Sequence, residues 1–182
     1  HALEQESPDA GTDRPLIDEG LTREDLTSTH FFTIDGEKTR DMDDALHVAT
    51  RAEGGWRLSV AIADPTAYVE EGHAADLEAR TRAFTVYLPG QNVTMLPEQL
   101  ADDLCSLWED KERPALACTL DINTDGSMGD YRFFAANVKS HAKLVYDNVS
   151  DWIEGQGDWA PADEIAEQLT ALRDLTEART AW

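Results

Sequence analysis

The chain has 182 residues, 41% of them apolar and five of them Trp, which is enough to bury one sizeable core and excludes a disordered chain. Lys and Arg number 15 against 37 Asp and Glu, and the formal net charge of -22 speaks against a nucleic-acid surface on electrostatics alone. Cys105 and Cys118 are too few for a disulfide-stapled secreted scaffold, and the longest nearly uncharged stretch, residues 83–98, is broken by Pro89, Gly90 and Pro97; with no signal peptide or membrane span, a cytoplasmic protein is expected.

Residues 1–20 are polar, acidic and interrupted by Pro8, Gly11 and Pro15, which predicts an interdomain linker or arm ahead of a globular unit over 21–182. Thr22 followed by Arg23-Glu24-Asp25-Leu26 predicts a short capped helical turn, leading into the apolar run Phe31 to Ile34 that stops at Asp35. Runs 45–50 and 56–63 flank Gly54-Gly55 and predict a hairpin. Leu77, Ala83 and Phe84 recur at helical spacing between His73 and Tyr87, and a second short helix is expected after Pro97. Runs 115–122 and 131–138 predict another hairpin turning at Asn123-Thr124-Asp125-Gly126. A short helix over 151–154 and a long one from Asp163, with Ile165, Leu169, Leu172 and Leu175 in register, close the pattern. The long helix reaches Trp182 without a stop signal, so the domain is expected to continue beyond it. Strands joined by hairpins and followed by helices predict an α+β class: β-hairpins in a mixed or antiparallel sheet flanked by helices.

The chemistry concentrates in residues 33–45, where Asp35, Asp41, Asp43 and Asp44 fall within ten positions between two strand-like runs. Like charges this close repel, and a hard divalent cation with oxygen ligands, Mg²⁺ or Mn²⁺, is the usual counter-charge. A solvated loop of an acidic chain produces the same cluster by chance, and composition alone does not decide between the two. An EF-hand is excluded here, because Ala45 stands where a third ligand belongs and Leu46 where glycine does. The stretch Asp121-x-Asn123-x-Asp125-Gly126 opens like a calcium loop, but its twelfth position is Arg132 and its flanks are β-like, so it is read as a hairpin turn without metal. His30, His47, His73 and His141 show no ligand spacing, and Ser106 lacks the surroundings of a nucleophile elbow.

The block Thr33 to Leu46 resembles the signature of the ribonuclease II (RNB) family: T-I-D, five residues, then D-x-D-D-A. Further similar blocks follow in order at 60–66, 84–90, 95–97, 104–107 and 143–147, spanning almost the whole chain. The resemblance implies a hydrolytic, divalent-metal-dependent exoribonuclease that degrades single-stranded RNA from its 3′ end to nucleoside 5′-monophosphates. It also implies that Asp35, Asp41, Asp43 and Asp44 are the carboxylates of a Mg²⁺ (or Mn²⁺) centre, that Asp43 orients the catalytic water and metal, that Tyr87 stacks on a base near the 3′ end, and that Tyr146 lies near the reacting ribose and phosphate. Without it, Tyr87 reads as a core aromatic ending a helix, Tyr146 as a satisfied hydroxyl, and Lys143 as a surface lysine able to meet phosphate.

The family also needs an arginine, a second aromatic clamp and an acidic ribose contact that nothing after Tyr146 resembles. The expectation is therefore the N-terminal part of an incomplete RNB catalytic domain, inactive alone. Its partners would be single-stranded RNA and the rest of the same polypeptide: OB-fold (cold-shock) and S1 domains and the C-terminal half of the RNB domain. The competing expectation is a catalytically dead RNB-like module that binds RNA or regulates.

Overall fold

Small inward residues alternating with larger outward ones set the shape of the main sheet. Ala45, Ala61, Ala115, Ala117 and Ala136 are at most 1% exposed and pack with Phe31, Met42, Leu107 and Val138, while Ile62 and Leu116, one position out of phase, are 45% and 51% exposed. So few atoms on the inner face let a short sheet curl until its edges meet. The computed structural model describes Ile17 and residues 20–182 and shows that closure: five strands form a barrel in the order β1 (Glu24–Asp35), β2 (Asp44–Thr50), β3 (Trp56–Ala63), β6 (Glu112–Ile122) and β7 (Met128–Val145). Parallel pairing of β1 with β7 completes it, and every other junction in the barrel is antiparallel. The expected arm over 1–20 lies, apart from Ile17 and Gly20, outside the described residues.

The two expected hairpins are present. Between β2 and β3, Gly55 has φ 76°, and a side chain there would meet the Ile122 carbonyl oxygen at 2.2 Å, so the turn takes only glycine. Between β6 and β7, Asp125 accepts the Ser127 N–H and hydroxyl, and Asp121 is held by Arg57 at 2.7 Å. The calcium-like stretch is thus a turn whose carboxylates are already partnered. Gly126 at its tip has φ 84°, and a side chain there would also meet the Ala178 carbonyl oxygen of the last helix at 2.1 Å, so this position takes only glycine.

The helical turn expected after Thr22 is not formed. Glu24 to Leu26 pair with Ala136 to Val138, since a neighbouring strand in register satisfies their backbone groups more completely than one isolated helical turn does. The helix expected over His73 to Tyr87 is shorter, α1 (Ala74–Arg82), and ends at Ala83 with φ 67°. Val86–Leu88 and Gln91–Val93 form the two-stranded sheet β4–β5 instead. The short helix after Pro97 appears as one wide turn at Leu100–Leu104. The helix expected at 151–154 begins earlier, as α2 (Tyr146–Ile153), and α3 (Asp163–Ala181) follows.

Helices α2 and α3 cover the outer side of β1 and β2, burying Phe32, Leu144, Val149, Ile165 and Leu169 together. The junction of β1 with β2 is sparse, with Phe32 opposite Leu46 as its paired position. Gln168 of α3, only 7% exposed, bridges it: its Nε2 donates to the His30 carbonyl at 2.9 Å and its Oε1 accepts the Val48 N–H at 2.9 Å.

The two faces of β3 give a contrast in stability. Ala61→Leu forces extra methylenes into the closed interior and should cost about 1–3 kcal/mol. Ile62→Thr, one residue on and outward, should stay within about 0.5 kcal/mol of the parent. Urea midpoints of the two variants measure the difference, and equal losses would refute the assignment of the faces.

Candidate functional site

The four aspartates gather at one mouth of the barrel because of where two strands stop and start. Asp35 is the last residue of β1, beside Val145 of β7, and Asp44 is the first residue of β2, opposite Ile62. Asp43 extends that ladder by one bond, its carbonyl accepting the Ala63 N–H at 2.8 Å. The intervening loop folds back through a turn in which Thr39 N–H donates to Gly36 O at 3.0 Å, and Met42, fully buried, plugs the barrel between Asp41 and Asp43. Side chains two apart on an extended chain share a side. Asp41 and Asp43 therefore stay at the mouth while Met42 goes inside.

Electrostatics record the crowding. Burial raises the Asp35 carboxyl above its ordinary value, Asp44 and Asp41 push it further up, and the Lys143 ammonium offsets part of this. Asp43 is raised first by desolvation from the packed loop and then by Asp41, Asp44 and Asp35, with no cation opposing, although its side chain reaches solvent. Asp35 Oδ2 and the Thr33 hydroxyl are buried without a hydrogen-bond partner. A buried, unbonded carboxylate oxygen amid repelling carboxylates fits a hard cation with oxygen ligands. As placed, no three acidic, His or Cys side chains among the described residues are drawn together closely enough to hold one ion. The fit thus rests on the donor chemistry and the unbonded oxygen.

Tyr87 joins the cluster from β4. It is 61% exposed, and its hydroxyl donates to Asp41 Oδ2 at 2.5 Å. That bond and the surrounding negative field push the phenol up to about 12, so it stays protonated at neutral pH. The reading of Tyr87 as a core aromatic at a helix end is overturned, because the chain leaves the helix at Ala83 and pairs Tyr87 with Asn92. A cleft of about 480 Å³ runs between this hairpin and the loop, lined by residues 36–41, Tyr87, Asn92 and Asp102. Tyr146 opens α2, 59% exposed and one residue beyond the strand partner of Asp35, without the direct tie to an aspartate that Tyr87 has.

Other residues at the site were not singled out from sequence or were read differently. Lys143 is half-buried and tied to the loop: its Nζ donates to Thr39 O at 2.6 Å and lies 5.3 Å from the centre of the Trp108 ring. Trp108 Nε1 in turn donates to Asp102 O at 2.8 Å. Asp102 is raised by desolvation; the Arg40 guanidinium, 3.6 Å away, offsets this, and Asp41 and Glu98 add to it. Trp108 and Asp102 flank the block 104–107, and no spacing signal tied them to the aspartates. His30 and His141, read as lacking ligand spacing, stack on each other with ring centres 4.5 Å apart.

The RNB domain family matches residues 23–182. Exoribonuclease 2 of Klebsiella pneumoniae (strain 342) is 53% identical over 184 residues, covering 100% of this chain and 28% of that protein. Among solved structures, Mycoplasma genitalium RNase R in complex with ribose-methylated single-stranded RNA superposes with TM-score 0.84 at 32% identity, over 90% of this chain and 26% of that one. Yeast Ssd1, described as a pseudonuclease, shares the fold at TM-score 0.74 and 22% identity, over 90% of this chain and 20% of its own. The chain thus spans about 28% of the length of the curated relative it matches.

The raised carboxyls of Asp35 and Asp43 give a pH dependence with a definite sign. Folding favours their protonated forms, so the stability they contribute is lost as pH rises through the raised values from the ordinary 3.8. In metal-free buffer Asp43→Asn should melt above the parent at about pH 8, with the gap closing near about pH 4. Thermal scans at both pH values check this, and a parent that melts higher at the upper pH refutes it.

Proposed function

The chain belongs to the RNB domain family, and on that premise we propose that its protein is a hydrolytic 3′-to-5′ exoribonuclease that degrades single-stranded RNA to nucleoside 5′-monophosphates, with Mg²⁺ or Mn²⁺ held by Asp35, Asp41, Asp43 and Asp44. The observation that carries the reading is the barrel mouth itself: mutually repelling carboxylates, two of them raised, around the unbonded Asp35 Oδ2. When bound there, divalent ions supply positive charge to a scissile phosphodiester and make water a stronger nucleophile at neutral pH.

The chain's own residues supply holding and positioning. Asp35 and Asp44, fixed at strand ends, set the rigid side of the centre, while Asp41 and Asp43 close it from the loop. Asp43 is the one best placed to orient water, being exposed and raised with no cation against it. Tyr87 offers an exposed ring to an unpaired base, and its hydroxyl on Asp41 couples that grip to the carboxylates. Tyr146, one residue beyond the strand partner of Asp35, would meet the terminal ribose and phosphate. Lys143 braces the loop by holding Thr39 O, so this lysine serves the aspartates and not the RNA backbone.

The negative charge is reconciled with an RNA substrate if basic surface resides in the larger part of the protein, which would also bring the cold-shock, S1 and C-terminal RNB segments that guide the strand. No helix among the described residues is long and apolar enough to cross a membrane, and the proposed compartment is the cytoplasm. The alternative, a catalytically dead RNA-binding or regulatory module, draws support from the fold shared with a pseudonuclease. Retention of all four aspartates favours the enzyme.

The direct test is Asp43→Asn in the whole protein. Cleavage should fall by more than about 100-fold, the upper end of what losing even an outer partner costs a metal site. Affinity for a single-stranded RNA should change little, because phosphate contacts and stacking dominate binding. Undiminished mononucleotide release would sink the proposal, and equal loss of binding and cleavage would return Asp43 to a structural role.

A second expectation concerns residues 1–182 alone. If the cation that meets the scissile phosphate comes from the larger part of the protein, they should turn over about two to three orders of magnitude slower than the whole protein with ample Mg²⁺. Release of mononucleotides from a 3′-labelled RNA at the full rate would show that the set is self-sufficient.

A further inference from the structure

Ser106 is fully buried and lies outside every role assigned so far. Its hydroxyl donates to the Arg40 carbonyl at 2.6 Å and accepts the Met42 N–H at 3.0 Å. A hydroxyl has one donor and two acceptor positions, so the two bonds coexist. The groups it holds are the last carbonyl before Asp41 and the first amide after it. One side chain therefore fixes both peptides that carry the Asp41 side chain. A third bond, Leu107 N–H to Met42 O at 2.9 Å, continues the same seam.

The clamp is itself anchored. Ser106 N–H donates to Asp103 O at 3.1 Å, and the Ser106 carbonyl accepts Arg113 Nε at 3.1 Å. Arg113 is 5% exposed and also reaches Asp103 Oδ1 at 3.3 Å. Asp41 sits in a loop, where charge repulsion from three neighbouring carboxylates would swing it outward unless the backbone were held. Asp35 and Asp44 need no such device, being set in strands. Asp41 is also the residue that receives the Tyr87 hydroxyl, so its placement decides where that ring stands.

We infer that Ser106 is a positioning residue that sets the Asp41 carboxylate, and through it the Tyr87 ring, against the other three aspartates. It takes no part as a nucleophile, since its oxygen is engaged on both sides and sealed from solvent. The consequence for metal and turnover rests on the proposed function above, whereas the clamp on the loop does not.

The experiment uses the whole protein with Ser106→Ala, Ser106→Thr, which keeps the hydroxyl, and Ser140→Ala as a control. Ser140 is equally buried in β7, and its hydroxyl donates to Ala142 O at 3.1 Å, away from the loop. Amide exchange at Met42, Mn²⁺ affinity by electron paramagnetic resonance, and RNA kinetics are measured on each. In Ser106→Ala, Met42 exchange should accelerate about tenfold while the barrel amides of Ala61 and Ala117 hold. The Mn²⁺ dissociation constant should rise about tenfold, with kcat falling and KM for RNA near its parent value. Ser106→Thr should restore all three, and Ser140→Ala should change none.

Acceleration at Met42 without any Mn²⁺ binding in the parent would uphold the clamp and sink the metal reading instead. Unchanged Met42 exchange, or equal acceleration across the barrel, would overturn the inference. Should Ser106→Ala fail to fold, Ser106→Cys, which fills the volume with a weak donor, carries the same comparison.

Discussion

Four like charges within ten residues stay in one place only if the backbone that bears them is held by something other than the charges. Here the holding is done by hydrogen bonds to the backbone: two aspartates end and begin strands, and the other two flank a buried methionine whose amide is taken by Ser106 and whose carbonyl is taken by Leu107. The repulsion is still present, in the raised carboxyls of Asp35 and Asp43. The folded chain thus keeps an electrostatic strain at the mouth of its barrel, a pattern common at functional sites.

The barrel suits that task because it is narrow. Alanines on its inner face pack with buried Phe31, Met42, Leu107 and Val138, and the residues at the mouth inherit the rigidity of the ladder below. The loop, β4–β5 and the turn before Ser106 then need only local fixing. That fixing comes from single side chains: Ser106 on the peptides around Asp41, Lys143 on the Thr39 carbonyl, and Tyr87 on the Asp41 carboxylate.

What could be read in the sequence follows from distance along the chain. Gly54-Gly55 and Asp125-Gly126 announced their hairpins because a turn is encoded by adjacent residues. The closure of β1 on β7 was not legible, since it joins residues more than a hundred positions apart, and the same long-range pairing overrode the helix signal after Thr22. The aspartates could be found because they crowd one short segment. Asp102 and Trp108 could not, being brought in by a wide turn whose neighbours in sequence look like ordinary packing. Tyr87 was found by resemblance and misplaced by periodicity: Phe84, at helical spacing from Leu77, is 65% exposed and lies beyond the helix end.

Gln168 gives the hoop an unusual fastening. Where β1 and β2 part, its amide stands in for the missing rung, taking the Val48 N–H and giving to the His30 carbonyl. A ring closed through a side chain of another element is only as tight as the seating of that element. Drawing α3 off the sheet breaks both bonds in one movement and uncovers Phe32 and Leu144 along with them. Mechanically the barrel has a latch, and a force that draws the last helix away reaches the first strand through Gln168 and the β6–β7 turn through Arg179 on the Gly126 carbonyl.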